Sequence, residues 1–377
     1  MTKRTLHRCA SLMATVALLA QPVAIFTACQ QDDEPEPQHR NVRVPLSLTS
    51  GIATAVTRAF DVTWEANDKI GVFTVVAGQT DASKITYSGS YADANIPYQL
   101  TLGTNEDGVT YTPASGETSA SYSYKGFIPL TGTDSKTIYL PLDGSNVDVY
   151  AYYPYDADAS AAGKTITLET NQTLAGQKAR DLMMAKALTS TNPINIDHSS
   201  APLLFQHCLT KVLIVVKVGT GYNTTDLEGH TSVKIKGTPI QASYAPLTQT
   251  LSVTAGNSDI VPCQLVSGDP DYTKRGDGLY IYRALVMPNT VASGSSLTVS
   301  GNPAASATRQ IEFTISDGAT ATYSYTIDPT LYPFVAGDEI KFTISLLATG
   351  VTITAAITPW SELSTVPDAP LEEVQNS

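Results

Sequence analysis

The side chains able to do chemistry are thinly spread. None of the five histidines stands in an H-E-x-x-H or H-x-H pattern that would put two imidazoles on one metal. His207 and Cys208 are adjacent in an apolar, strand-like run. Neighbours on a strand point to opposite faces, so these two cannot share an ion. Asp156-Ala157-Asp158-Ala159-Ser160 begins like a calcium loop, but Ala161 stands where the turn glycine is needed and Thr167 where the closing glutamate is needed. Gly163-Lys164-Thr165 ends like a phosphate loop, with Asp158 in place of the leading glycine. No Ser, Cys or Thr lies in a G-x-S-x-G elbow. No catalytic residue, metal ligand or cofactor is assigned, and the chain is not expected to be an enzyme.

One thiol has a clearer chemistry. Lys3, Arg4 and Arg8 precede an apolar run, Ala10–Ala28, interrupted by Gln21 and Pro22. A charged start, a short apolar stretch and a small-residue exit make a secretory signal over 1–28 rather than a spanning helix of about 20 apolar residues. The run closes on Phe26-Thr27-Ala28-Cys29, which resembles a bacterial lipobox. The resemblance implies a thioether-linked lipid on Cys29 and an acylated new N-terminus. A thiol is the small side chain nucleophilic enough to carry that bond, and two or more acyl chains give stable anchoring. Gln30–Gln38 is rich in acids and proline and cannot bury apolar surface, so 29–41 is expected to be a tether. An acidic patch directly after the lipidated cysteine also resembles the surface-export signal of Bacteroidales lipoproteins, which implies the outer face of the outer membrane.

The mature part is long enough for two domains. With a formal net charge of −12 and 23 Lys and Arg in 377 residues, a nucleic-acid groove is not expected. Tyrosine is abundant, with 19 against 2 tryptophans, and long helix-forming stretches are missing, which points to an all-β protein. Cys208 and Cys263 could pair in an oxidising compartment or be two buried thiols. Thiols are favoured, because a chain of this size has enough core without staples.

The elements follow from alternation and turn residues. Val42–Leu48, Ile70–Val76, Ser121–Leu130, Val147–Tyr155, Thr165–Leu168, Leu203–Val218, Thr231–Lys236, Thr250–Val253, Leu279–Met287, Ser296–Ser300, Gln310–Ile315, Ala321–Ile327, Glu339–Leu347 and Val351–Ile357 read as strands. Leu174–Leu188 is ambiguous, a loop entering a strand with a helical middle. The polar, turn-rich stretch between Ser190 and Ala201 predicts a boundary, giving domains 42–195 and 196–377 with a loose tail over 361–377. Arg275-Gly276-Asp277 lies in a loop and matches a tripeptide read by host adhesion receptors; Gly and Asp are also ordinary turn residues.

Several segments, taken in order, resemble the fimbrillin family, the type V pilins of Bacteroidales. They are Thr57-Arg58-Ala59, Trp64, Asn67-Asp68-Lys69-Ile70-Gly71-Val72-Phe73, the tyrosine-rich Val149–Tyr155, Asp181–Ala185, Phe205–Lys211, Tyr332, Gly337–Phe342 and Ile357-Thr358-Pro359-Trp360. The likeness covers nearly the whole mature chain. Asn67 stands where glycine is usual and Cys208 where a small residue is common.

The resemblance implies two tandem transthyretin-like β-sandwich domains, lipoprotein export, and removal of the N-terminal segment by an arginine-specific protease. Here the matching bond is Arg58–Ala59, with 42–58 as the propeptide strand. Val42–Leu48 supports the consequence: losing an alternating, half-buried strand opens an apolar groove and an unpaired sheet edge, which another subunit's strand can fill. The expected partners are other fimbrial subunits and, through Cys29, the outer membrane, with a host or bacterial surface ligand left open. The last strand, Val351–Ile357, alternates poorly and is followed by an acidic tail, which leans towards a tip or minor subunit. A second reading is a surface-exposed glycan-binding lipoprotein, with Tyr150, Tyr152, Tyr153 and Tyr155 as the aromatic platform.

Overall fold

The computed structural model describes residues 43–52, 64–65, 67–81, 95–100, 110–111, 122–123, 125–130, 137–189, 192–219, 227, 229–254, 256–293, 295–301, 309–316, 320–347 and 350–359. Cys29, Arg58, Ala59, the tether and the tail lie outside them. The first half of the chain carries β1 Ser47–Ile52, β2 Lys69–Val76, β3 Ile96–Leu100, β4 Thr110–Tyr111, β5 Tyr122–Ser123, β6 Lys125–Pro129, β7 Val147–Tyr153, β8 Lys164–Thr167, a short helix α1 Leu174–Lys178, β9 Met183–Lys186 and β10 Ser200–His207. The second half carries β11 Thr210–Val218, β12 Thr231–Thr238, β13 Gln241–Ala245, β14 Thr250–Val253, β15 Ser258–Ile260, β16 Cys263–Gln264, β17 Tyr280–Val286, β18 Thr290–Val291, β19 Thr298–Ser300, β20 Gln310–Ile315, β21 Ala321–Thr326, β22 Val335–Ala336, β23 Asp338–Leu347 and β24 Gly350–Pro359. The chain is all-β, as its composition predicts.

Seven strands close a barrel in the order β1-β10-β9-β7-β2-β3-β6, with β1 pairing back on β6. Alternation along the wall explains why β7 is buried at every position. Val149, Ala151 and Tyr153 point into the barrel, while Tyr150 and Tyr152 point outward. The outward set is covered by a sheet of order β19-β14-β13-β8, which contributes Ala242, Tyr244, Leu251 and Val253. Gly71 leaves room for the Tyr152 ring: a Cβ there would fall 2.2 Å from it.

In the second half, a five-stranded sheet of order β16-β17-β11-β23-β24 packs on a four-stranded sheet of order β15-β12-β20-β21. Val212, Ile214, Ile340 and Phe342 of one meet Val233, Ile235, Ile311 and Phe313 of the other. Among the described residues, β24 is the last strand of its sheet and pairs with β23 alone.

Two expectations need correcting. The apolar run Leu203–Val218 is not one strand. It breaks at Cys208–Leu209, and its halves enter different sheets, β10 in the barrel and β11 between β17 and β23. Both halves are largely buried, so composition does not mark the break. The chain also does not divide at 195/196. The turn-rich stretch there is a connection inside the barrel, where Asn195 and His198 bridge to each other between β9 and β10. In addition, β8 of the first half pairs with β13 of the second. Buried glutamines reinforce that junction: Gln172 Nε2 donates to the Leu285 carbonyl at 2.8 Å, and Gln177 Nε2 to the Arg283 carbonyl at 2.9 Å.

Both remaining cysteines are free thiols, Cys208 fully buried and Cys263 partly exposed. Burial first, and the Asp181 charge second, push the Cys208 thiol up.

Candidate assembly site

The segment before Arg58 is a stave of the barrel. β1 pairs parallel with β10 from Ser47 opposite Ser200 to Ile52 opposite Phe205, and antiparallel with β6 from Leu48 opposite Phe127 to Ser50 opposite Lys125. The regular strand begins later than Val42–Leu48 because Pro45 has no N–H to give a ladder. The chain ahead of it is still held. Leu46 N–H donates to the Ile138 carbonyl at 2.8 Å, and Leu140 N–H to the Val44 carbonyl at 2.9 Å. The alternation read from the sequence holds at the described positions. Leu46, Leu48 and Ser50 are buried, Ser47 is exposed, and Val44 packs partly on the core.

The barrel core beneath β1 contains Trp64, with Phe127, Tyr153 and Phe205 around it. All three rings meet the indole edge to face, at centroid distances of 5.0, 5.4 and 5.1 Å. The polar turn next to it ties down the start of β2. Glu65 N–H donates to Asp68 Oδ2 at 2.7 Å, and the Tyr153 hydroxyl lies 3.3 Å from Asp68 Oδ1. Burial dominates Asp68 and raises its carboxyl despite these hydrogen bonds.

The other sequence candidates are occupied by the protein itself. Lys164 Nζ reaches Asp156 at 2.5 Å and Asp158 at 3.5 Å, so an ammonium stands where a calcium loop would seat its ion. Among the described residues, no group of three or more His, Cys, Asp or Glu could hold a metal. His207 Nδ1 lies 2.8 Å from Asp181 Oδ1 with both side chains fully buried, while Cys208 belongs to the core outside the barrel. The R-G-D tripeptide is tied into its own loop. Arg275 stacks over Tyr272 at 4.6 Å and donates to the carbonyls of Gly278 and Leu279, and Asp277 pairs with Lys217 at 2.6 Å. Tyr150, Tyr152 and Tyr153 are core residues, at most 4% exposed, and form no platform. Burial pushes the Tyr152 and Tyr153 phenols far up.

One constellation escaped the sequence. Lys211 on β11 lies 2.9 Å from Asp271 and 2.8 Å from Glu339 on β23; Lys274 lies 2.9 and 2.8 Å from the same two carboxylates; Arg283 on β17 lies 3.1 Å from Asp271. Burial alone would raise Asp271, but Lys211, Arg283 and Lys274 outweigh it and hold its carboxyl well below the usual range. The cluster fastens the 3₁₀ turn Tyr272–Arg275 to the sheet. Its members are up to 128 positions apart in the chain (Lys211 to Glu339), and no local pattern links them.

The chain belongs to the Fimbrillin-like family, which it matches over residues 57–360. A curated relative in Bacteroides uniformis, named "Putative fimbrium subunit Fim1C", is 29% identical over 92% of this chain and 93% of its own. Two solved structures share the fold. A "putative cell adhesion protein" of Bacteroides uniformis has TM-score 0.56 and 23% identity, and one of Bacteroides ovatus has 0.55 and 18%; each alignment covers 86% of this chain and all of the other.

Proposed function

We propose that the chain is a structural and adhesive subunit of a type V fimbria on the cell surface, delivered as an outer-membrane lipoprotein on Cys29 and activated by cleavage between Arg58 and Ala59. The observation that carries this reading is the position of β1. The strand that cleavage would free is hydrogen-bonded on both sides, to β10 and β6, and seals the barrel. Its departure would leave two unpaired edges over the apolar floor around Trp64, which is an acceptor for β-strand addition. While it stays, the precursor is inert.

The last strand suggests the donor. Read from Leu46 and from Val351, the two segments are L-S-L-T-S-G-I and V-T-I-T-A-A-I. Val351, Ile353, Ala355 and Ile357 all pack on the core of their own sheet, so the poor alternation of the bare sequence conceals a one-sided strand. Such a strand suits the acceptor of a second copy, which favours a shaft position over the tip. The glycan-binding alternative loses support because three of its four tyrosines, Tyr150, Tyr152 and Tyr153, are buried, and only Tyr155 is partly exposed.

The test is N-terminal sequencing of surface-sheared fibres with Arg58→Ala and Cys29→Ser beside the native protein. Fibres should begin at Ala59, Arg58→Ala should not assemble, and Cys29→Ser should not be membrane-retained. Fibres that begin at Cys29, or normal assembly of Arg58→Ala, would remove the activation step.

A further inference from the structure

Trp64 is 6% exposed and touches both lips of the site. Phe127 lies on β6 and Phe205 on β10, and these two strands flank β1. Phe127 is in register with Leu48, and Phe205 with Ile52. Between those two levels lies Ser50, which is fully buried. Going up β1, the inward side chains are therefore Leu46, Leu48 and then a small one. Interiors are close-packed, so where an indole enters a layer from another segment, the strand facing it must give up volume. The indole is also held at a cost. Among the described residues its buried Nε1 has no hydrogen-bond partner, a penalty phenylalanine would avoid. Trp64 follows the Arg58–Ala59 bond, so it stays with the barrel when the preceding segment leaves.

We infer that Trp64 is the specificity gauge of the assembly groove: it sets the spacing of β6 and β10 and admits, at the level of Ser50, only a strand with a small side chain. This rests on the proposed release of β1. The partner it fits is an extended segment with two large apolar side chains and then a small one at alternate positions. Val351, Ile353 and Ala355 of a second copy meet that demand.

The test has two arms. In the uncleaved full chain, Ser50→Leu and Trp64→Leu are made singly and together, and their melting temperatures compared. Each single change should lower the value, and the double variant should recover most of the loss; strictly additive losses would overturn the gauge. Should Trp64→Leu not fold, Trp64→Phe keeps an aromatic ring, drops the unpartnered N–H and takes its place. This arm involves no cleavage, so it stands apart from the release of β1. In the second arm, the chain is cleaved after Arg58 and offered an excess of synthetic peptides of residues 42–52 carrying Ser or Leu at position 50, enough to displace the held segment. The Leu peptide should bind at least tenfold more weakly, and that preference should shrink in the Trp64 variant. Equal binding of the two peptides to the native chain would overturn the gauge while leaving the groove. Binding of neither would overturn the release of β1 and the gauge with it.

Discussion

Leu48 and Phe127 stand opposite each other where β1 meets β6, and their pairing is part of the seam that closes the barrel. Leu48 is 2% exposed. Leu48→Ala should therefore cost the uncleaved protein about 2–5 kcal/mol, as large-to-small core substitutions do. Ser47→Ala, one position away and exposed, should stay within about 0.5 kcal/mol. Urea unfolding of the two variants separates them.

Cleavage and release should be separate events. The segment ending at Arg58 keeps hydrogen bonds to two strands and two buried leucines, each leucine contributing about 1.5–3 kcal/mol of burial. Protein nicked after Arg58 should elute as one species in native buffer and as two in denaturant. An excess of donor-strand peptide should displace the segment without denaturant. Immediate loss of the segment on nicking would count against a held, inert precursor.

Asp271 gives the protein an acid sensitivity. Its folded carboxyl titrates below its unfolded value, so its stabilising contribution is full above the ordinary carboxylate range and is lost as pH falls below it. Asp271→Asn should be strongly destabilising at pH 7, by about 3–5 kcal/mol as for one broken partner of a buried pair. The difference from the native protein should narrow towards pH 2. Guanidinium unfolding across that interval measures it.

Asp338, at the start of β23, works in the opposite sense. Burial raises its carboxyl to about 6. A raised folded value means that the charged form is disfavoured in the native state. The penalty is present above pH 6 and gone below the unfolded value near 4. Asp338→Asn should stabilise the protein at pH 7 by about 1 kcal/mol, after discounting for solvent at a half-buried group, and should change nothing at pH 3.

Periodicity carried the sequence furthest where one face of a strand differs from the other. Leu46 and Leu48 alternate with polar neighbours, and β1 was legible for that reason, although Pro45 shifted its ladder towards the C-terminus. The same signal fails where both faces are covered. β10 and β11 read as one run because Cys208 and Leu209, the two residues between them, are as buried as the strands they separate. The tyrosines of β7 were ambiguous between platform and core, because a phenol suits either, and the covering sheet that buries them comes from residues about 90 positions on (Tyr152 and Tyr244 are in ring contact). The ionic cluster around Lys211 was out of reach, since its spacing exists only after β11, β17 and β23 are side by side.

The pairing of β8 with β13 changes how a fibre would carry tension. Four residue pairs join β8 of the first half of the chain to β13 of the second, and the side-chain amides of Gln172 and Gln177 reach the carbonyls of Leu285 and Arg283 on β17. Among the described residues, a shared sheet and these buried hydrogen bonds tie the halves together. In a fibre of the proposed kind, tension that parted the two halves of the chain would first have to break these pairings, so the joints between subunits are where such a fibre would yield.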